Sequence, residues 1–124
     1  MNLRILVIDD DPGIREALGA ILDRAGYRIT SLAGSEAEIA AACRSRDYQV
    51  AVVDYRLPHH DGLEVARQLK QSMPNCRILL ISSELPTHQE RGKYPDLVDR
   101  FLAKPFSKEA FLEAVTQLCP REAP

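Results

Sequence analysis

Short apolar runs alternate with amphipathic stretches along all 124 residues, and this alternation limits the fold more than any other feature of the sequence. Residues 3–8, 50–53 and 78–81 are rich in Val, Ile and Leu with few polar interruptions, which suits parallel strands covered on both faces. Residues 28–32 and 101–103 are weaker candidates of the same kind. Between the runs the periodicity becomes helical. Ile14, Ala17, Leu18, Ile21, Leu22 and Ala25 recur at three- and four-residue steps and make one apolar face. Asp11 can cap that helix, Pro12 fits its first position and Gly26 fits just past its end. Ser35 with Glu38 spells a capping box for a second helix. Asp61 can cap a third carrying Leu63, Ala66 and Leu69, and Ser107 a last one carrying Phe111, Ala114, Val115 and Leu118. Strand and helix repeat about five times, which predicts an α/β, doubly wound parallel sheet with helices on both faces and right-handed crossovers.

One stretch breaks the rhythm. Residues 87–93 contain no apolar side chain, so no face is available there to pack on a sheet. Gly92 costs about 1 kcal/mol inside a helix relative to Ala and Pro95 about 3 kcal/mol. Tyr94, preceding Pro95, is steered away from helical angles. A fourth helix is therefore expected to be short or irregular, and residues 84–96 to form a loop or a frayed helix.

Length allows one core, so residues 1–119 read as a single domain and 120–124 as a tail or the start of a linker. A net charge of -2 with no basic stripe argues against nucleic-acid contact. No run is long enough for a membrane span or a signal-peptide core, which leaves the cytoplasm as the default location. Cys43, Cys76 and Cys119 are far apart and form no C-x-x-C pair, so they read as free thiols rather than a disulfide or zinc set.

In open parallel sheets, ligands sit outside the carboxyl ends of the strands. The first run is followed by Asp9, Asp10 and Asp11, the run at 50–53 by Asp54, the run at 78–81 by Ser82 and Ser83, and the last by Lys104 and Pro105. Asp11 reads as the helix cap. Two carboxylates about 4 Å apart repel by about 4 kcal/mol at an effective dielectric near 20, so Asp9, Asp10 and Asp54 together need a cation. Carboxylate, carbonyl and water oxygens suit Mg²⁺, which often shares its coordination with a phosphate. Lys104 adds a positive point charge opposite. One carboxylate can then attack a phosphoryl group while the cations offset the developing charge.

The chain resembles the receiver domain of two-component response regulators, the CheY-like group. The resemblance covers residues 3–119. It rests on the acidic pair within Val7-Ile8-Asp9-Asp10-Asp11, on Asp54-Tyr55-Arg56-Leu57-Pro58-His59-His60-Asp61-Gly62-Leu63, on Ser82 and on Lys104-Pro105-Phe106. It implies a flavodoxin-like five-stranded sheet of order 2-1-3-4-5. It also implies that Asp54 is the phosphoacceptor and that Mg²⁺ is held by Asp10 directly, by Asp9 mainly through water, by Asp54 and by the backbone carbonyl of Arg56. Ser82 would hydrogen-bond the phosphoryl oxygen, Lys104 would pair with it, and Phe101 would be the aromatic that swings inward when the hydroxyl moves. Arg56 and Glu84 occupy the places whose side chains gate water and so tune phosphoryl lifetime. The implied donor is a phosphohistidine on a sensor histidine kinase or phosphotransfer protein, and the switch acts by changing a protein-interaction surface. His59 and His60 are expected to be solvent-exposed loop residues, and Tyr55 to flank the sheet edge.

Three rivals fit less well. A haloacid-dehalogenase-type phosphatase needs an Asp two places after the nucleophile, where this chain has Arg56. A flavodoxin-like FMN carrier needs a neutral phosphate-binding loop after the first strand, where this chain has three Asp. A phosphate-independent docking module has no use for an intact set of site residues. Two contexts stay open, a free-standing receiver and a piece of a longer protein such as a hybrid sensor kinase; the Asp-Tyr-Arg-Leu-Pro style of the acceptor loop favours the second.

Overall fold

The computed structural model describes residues 3–120 apart from 59, 85, 86, 88, 90, 91 and 93–95. Its elements are β1 (Arg4–Ile8), α1 (Pro12–Arg24), β2 (Arg28–Leu32), α2 (Glu36–Ser45), β3 (Val50–Asp54), α3 (Gly62–Ser72), β4 (Arg77–Ser82), β5 (Arg100–Ala103) and α4 (Lys108–Leu118). The strands form one parallel sheet of order β2-β1-β3-β4-β5. Fold class and strand order are therefore as the sequence and its resemblance imply.

The expected caps are all in place. Asp11 Oδ1 accepts from Gly13 N at 2.8 Å and Ile14 N at 3.3 Å, with Pro12 opening α1. Ser35 and Glu38 close a complete capping box on α2. Asp61 accepts from Leu63 N at 2.7 Å, and Ser107 from Ala110 N at 3.0 Å. Each satisfies amides that a helix N-terminus leaves without an internal partner.

Strand side chains alternate between the two faces of the sheet. Leu6, Ile8, Ala51, Val53, Ile78 and Leu80 face α2 and α3, where they meet Ile39, Ala42, Leu63, Ala66 and Leu69. Ile5, Val7, Val50, Val52, Leu79 and Ile81 face α1 and α4, where they meet Leu18, Leu22, Phe111, Ala114 and Val115. The central strands are apolar at nearly every position because both faces are covered, and this is what made the runs legible. At β2, an edge strand, the residues are half-buried or exposed, which matches its weaker sequence signal.

Of residues 84–96, Glu84, Thr87, Gln89, Gly92 and Asp96 are described as exposed and Leu97 and Val98 beyond them as half-buried; Gln89 and Gly92 are helical. The expected loop or frayed helix thus falls largely outside the described residues. Cys43 and Cys119 are half-buried and Cys76 is buried, all three as free thiols. Burial pushes the Cys76 thiol up to about 12, so it behaves as a small core hydrophobe.

Phe111 is fully buried and stacks on Phe106 with ring centroids 5.6 Å apart. Phe111→Ala is expected to lower the unfolding free energy by about 3–5 kcal/mol, read as a fall in the urea midpoint with unchanged slope.

Candidate functional site

The strand order reverses between β1 and β3: the chain leaves β1 toward β2 on one side and later returns to pair β3 on the other. Such a switch point opens a crevice at the carboxyl ends of the two strands. Asp9 and Asp10 follow β1 there, and Asp54 is the last residue of β3. Carboxylate oxygens of Asp9, Asp10 and Asp54 all lie within 4.8 Å of one another. Asp9 is fully buried, Asp54 is 5% exposed, and Asp10 is exposed.

Lys104, the first residue after β5, reaches across this cluster. Its Nζ donates to Asp9 Oδ2 at 3.0 Å and to Asp54 Oδ2 at 3.5 Å. The backbone supplies further donors: Asp11 N to Asp9 Oδ1 at 3.0 Å, and Arg56 N to Asp54 Oδ1 at 3.1 Å. Burial raises the pKa of the Asp54 carboxyl, and the charge of Asp9 adds to the rise; the Arg56 amide and Lys104 oppose it without cancelling it. For Lys104, burial favours the neutral amine, but its bonds to Asp9 and the charges of Asp9 and Asp54 outweigh that and hold the amine above its ordinary range.

Local sequence explains the placement of Asp54. Gly62, which opens α3, runs directly under the loop after β3: a Cβ there would lie 2.6 Å from Asp54 O and 2.6 Å from Tyr55 Cα. Gly62 N donates to Tyr55 O at 2.8 Å, closing the neck of the loop, and Arg56 bridges Asp61 just above it. Tyr55 is 2% exposed, and the Arg56 guanidinium carbon sits 4.7 Å from its ring centroid. Tyr55 follows β3 at the carboxyl edge of the sheet, and there it is a buried platform. From this platform Arg56 Nη2 donates to Glu84 Oε2 at 3.2 Å, linking the loops after β3 and β4.

Ser82 ends β4 and is buried; its Oγ accepts from Glu84 N at 3.2 Å. Register pairs Ser82 with Ala103 and Leu80 with Phe101. Phe101 is half-buried and packs against the α2–α3 cluster with Val98. The structure thus brings Asp9, Asp10, Asp54 and Lys104 into one cluster, places Ser82 at the same sheet edge, and sets Phe101 two residues back along the neighbouring strand. His59 lies outside the described residues. His60 departs from expectation: it is half-buried, and its Nε2 is buried with no hydrogen-bond partner among the described residues. Burial of that nitrogen is a tertiary effect that a loop composition of Pro, His and Asp does not encode.

Sequence reasoning missed Arg15. On α1 its Nη1 donates to the backbone oxygen of Asp9 at 2.8 Å. The available signal was a cation about one helical turn past the acidic strand end.

A folded-state pKa above the unfolded value makes an ionised Asp54 a cost to the fold. That cost is absent in acid and grows as pH rises through the raised pKa. Asp54→Asn is therefore expected to melt higher than the parent near neutral pH in chelator-containing buffer, and the gap should shrink as pH falls below the ordinary carboxylate range. Parallel thermal melts at the two pH values check this.

A family model described as the response regulator receiver domain matches residues 5–116. The response regulator MprA of Mycobacterium bovis is 33% identical over 124 residues, which covers 100% of this chain and 54% of that protein. The chain spans 24% of the length of the C4-dicarboxylate transport transcriptional regulatory protein DctD of Pseudomonas aeruginosa, to which it is 36% identical over 117 residues, and about half the length of MprA. Among solved structures, the response regulator TrrA of Thermotoga maritima in complex with Mg²⁺–BeF has a TM-score of 0.81 at 29% identity, covering 94% of this chain and 98% of that one. A Burkholderia pseudomallei response regulator with a phosphorylated aspartic acid, a calcium ion and citrate has a TM-score of 0.79 at 26% identity, covering 91% of this chain and 66% of that one. Strand order, strand-end carboxylates and a family match over nearly the whole chain agree, and this chain belongs to the response regulator receiver domains of two-component signalling, a family phosphorylated on aspartate.

Proposed function

We propose that Asp54 accepts a phosphoryl group from a phosphohistidine on a sensor histidine kinase or phosphotransfer protein. The observation that carries this reading is the cluster itself: a nearly buried Asp54 with two further carboxylates within 4.8 Å and a lysine 3.5 Å away. In the transfer, a carboxylate oxygen of Asp54 forms a bond to phosphorus as the imidazole nitrogen–phosphorus bond breaks, and the imidazole leaves with the electron pair. Lys104 neutralises charge on the transferring group, and Ser82 hydrogen-bonds a phosphoryl oxygen. The donor set of exposed Asp10, buried Asp9 and Asp54 fits a hard divalent cation, and we assign Mg²⁺ to it, with the Arg56 carbonyl as a further ligand. When bound, Mg²⁺ supplies charge neutralisation for the phosphoryl oxygens. The domain catalyses its own phosphorylation and dephosphorylation and turns over no other substrate.

An apolar groove of about 500 Å³ between α1 and the loop that joins β5 to α4 supports a protein donor. It is lined by Ile14, Leu18, Ile21, Pro105 and Phe106 and runs up to Lys104, so a donor seated in it stands beside the acceptor. No helix among the described residues is long and apolar enough to cross a membrane, and we place the domain in the cytoplasm, within a longer signalling protein such as a hybrid kinase. Phosphorylation is read out through Ser82 and Phe101, which share one face of the sheet, with Phe101 as the switch aromatic.

With acetyl phosphate and Mg²⁺, the chain is expected to acquire an alkali-labile acyl phosphate. Asp54→Ala and chelator should each abolish the label while the fold survives by circular dichroism; label persisting in the Ala variant would sink the assignment.

The Arg56–Glu84 pair spans the mouth of the site and obstructs in-line attack by water. Exposed pairs contribute up to about 1 kcal/mol, so Arg56→Ala and Glu84→Ala are each expected to speed hydrolysis of the acyl phosphate by up to about fivefold. Decay of the label after removal of the donor measures it, and unchanged rates in both variants count against the gate.

A further inference from the structure

We infer that Arg15 is a positioning residue that presets Asp10 for the divalent cation, an inference that rests on the Mg²⁺ reading of the site. Asp10 is the exposed member of the three carboxylates, yet its oxygen lies within the 4.8 Å cluster. An exposed acidic side chain beside two others would ordinarily turn toward water. What keeps its backbone in place lies on either side of it in the chain.

The peptide between Asp9 and Asp10 is planar, so fixing its oxygen fixes the whole unit, including the Asp10 nitrogen. Arg15 holds that oxygen at 2.8 Å. The peptide between Asp10 and Asp11 is held at its other end, because Asp11 N donates to Asp9 Oδ1 at 3.0 Å. Asp9 is anchored in turn, its N bonded to Leu32 O at 3.1 Å and its Oδ2 held by Lys104. Asp10 therefore sits between two pinned peptide planes, and the direction of its Cα–Cβ bond is set before any ion arrives. Arg15 itself is half-buried on α1, whose first turn is fixed by the Asp11 cap and Pro12.

Charge and position predict opposite signs here. Arg15 is a permanent cation, so removing it makes the site more negative, which by electrostatics alone tightens Mg²⁺ binding. Removing a positioning residue loosens it, and partners that orient metal ligands typically matter by 10- to 100-fold in affinity.

The experiment is calorimetric titration of MgCl₂ into the full chain and into Arg15→Met, which keeps the side-chain bulk but has neither donor nor charge. The Met variant is expected to bind Mg²⁺ roughly tenfold more weakly. Binding equal to or tighter than the parent's overturns the inference. If the parent itself binds no Mg²⁺, the metal reading of the site fails and the inference falls with it, so the two failures are told apart by the parent titration. A second measurement separates positioning from general damage. The Mg²⁺ concentration giving half-maximal labelling by acetyl phosphate is expected to rise by the same factor, with the rate at saturating Mg²⁺ near the parent's. A reduced saturating rate with an unchanged half-saturation point overturns it. Should Arg15→Met fail to fold, Arg15→Lys is titrated instead; binding weaker than the parent's is expected, and parental or tighter binding overturns the inference.

Discussion

Mutual repulsion among Asp9, Asp10 and Asp54 is the constraint around which the rest of the structure is arranged. Folding brings three carboxylates within 4.8 Å, one of them wholly out of water. Removing a charge from water costs several kcal/mol unless a partner and hydrogen bonds compensate. Lys104 is that partner, and it stands 50 residues from Asp54 and 95 from Asp9 in sequence. The cluster is therefore tolerable once β5 is docked beside β4 with its end in register with Ser82. The site and the last strand of the sheet are coupled through one ammonium group.

The far end of β5 has its own fastening. Asp99, just before the strand, accepts from Lys70 at 3.0 Å, Arg77 at 3.3 Å and the amide of Ile78 at 2.8 Å. It ties β5 to α3 and β4 at the sheet's opposite edge. A short strand of four residues is thus pinned at both ends by ion pairs, with the half-buried Phe101 between them.

What could be read in the sequence, and what could not, follows from the range of each interaction. Helix starts were legible because Asp11, Ser35, Asp61 and Ser107 bond within three residues of themselves. Central strands were legible because burial on both faces removes polar residues from them. The strand-end residues were legible because a parallel sheet sends all its carboxyl ends to one edge. The Tyr55 platform, the burial of His60 Nε2 and the hold of Arg15 on Asp9 were not. Each depends on a side chain crossing to another element or folding back onto the chain, and no periodicity encodes that. Strand order rested on the resemblance rather than on pattern, because alternation alone leaves several orders open.

Gly62 has a consequence for how this domain can diversify. By admitting the backbone to within contact of Asp54 and letting Tyr55 close onto it, it turns the loop after β3 into a side branch with a sealed neck. Changes of sequence beyond the Arg56–Asp61 bridge then do not have to propagate down to the carboxylate. The loop's outer residues can then change while Asp54 stays where it is. One hydrogen atom in place of a methyl group thereby insulates the strand-end carboxylate from the outer part of the loop.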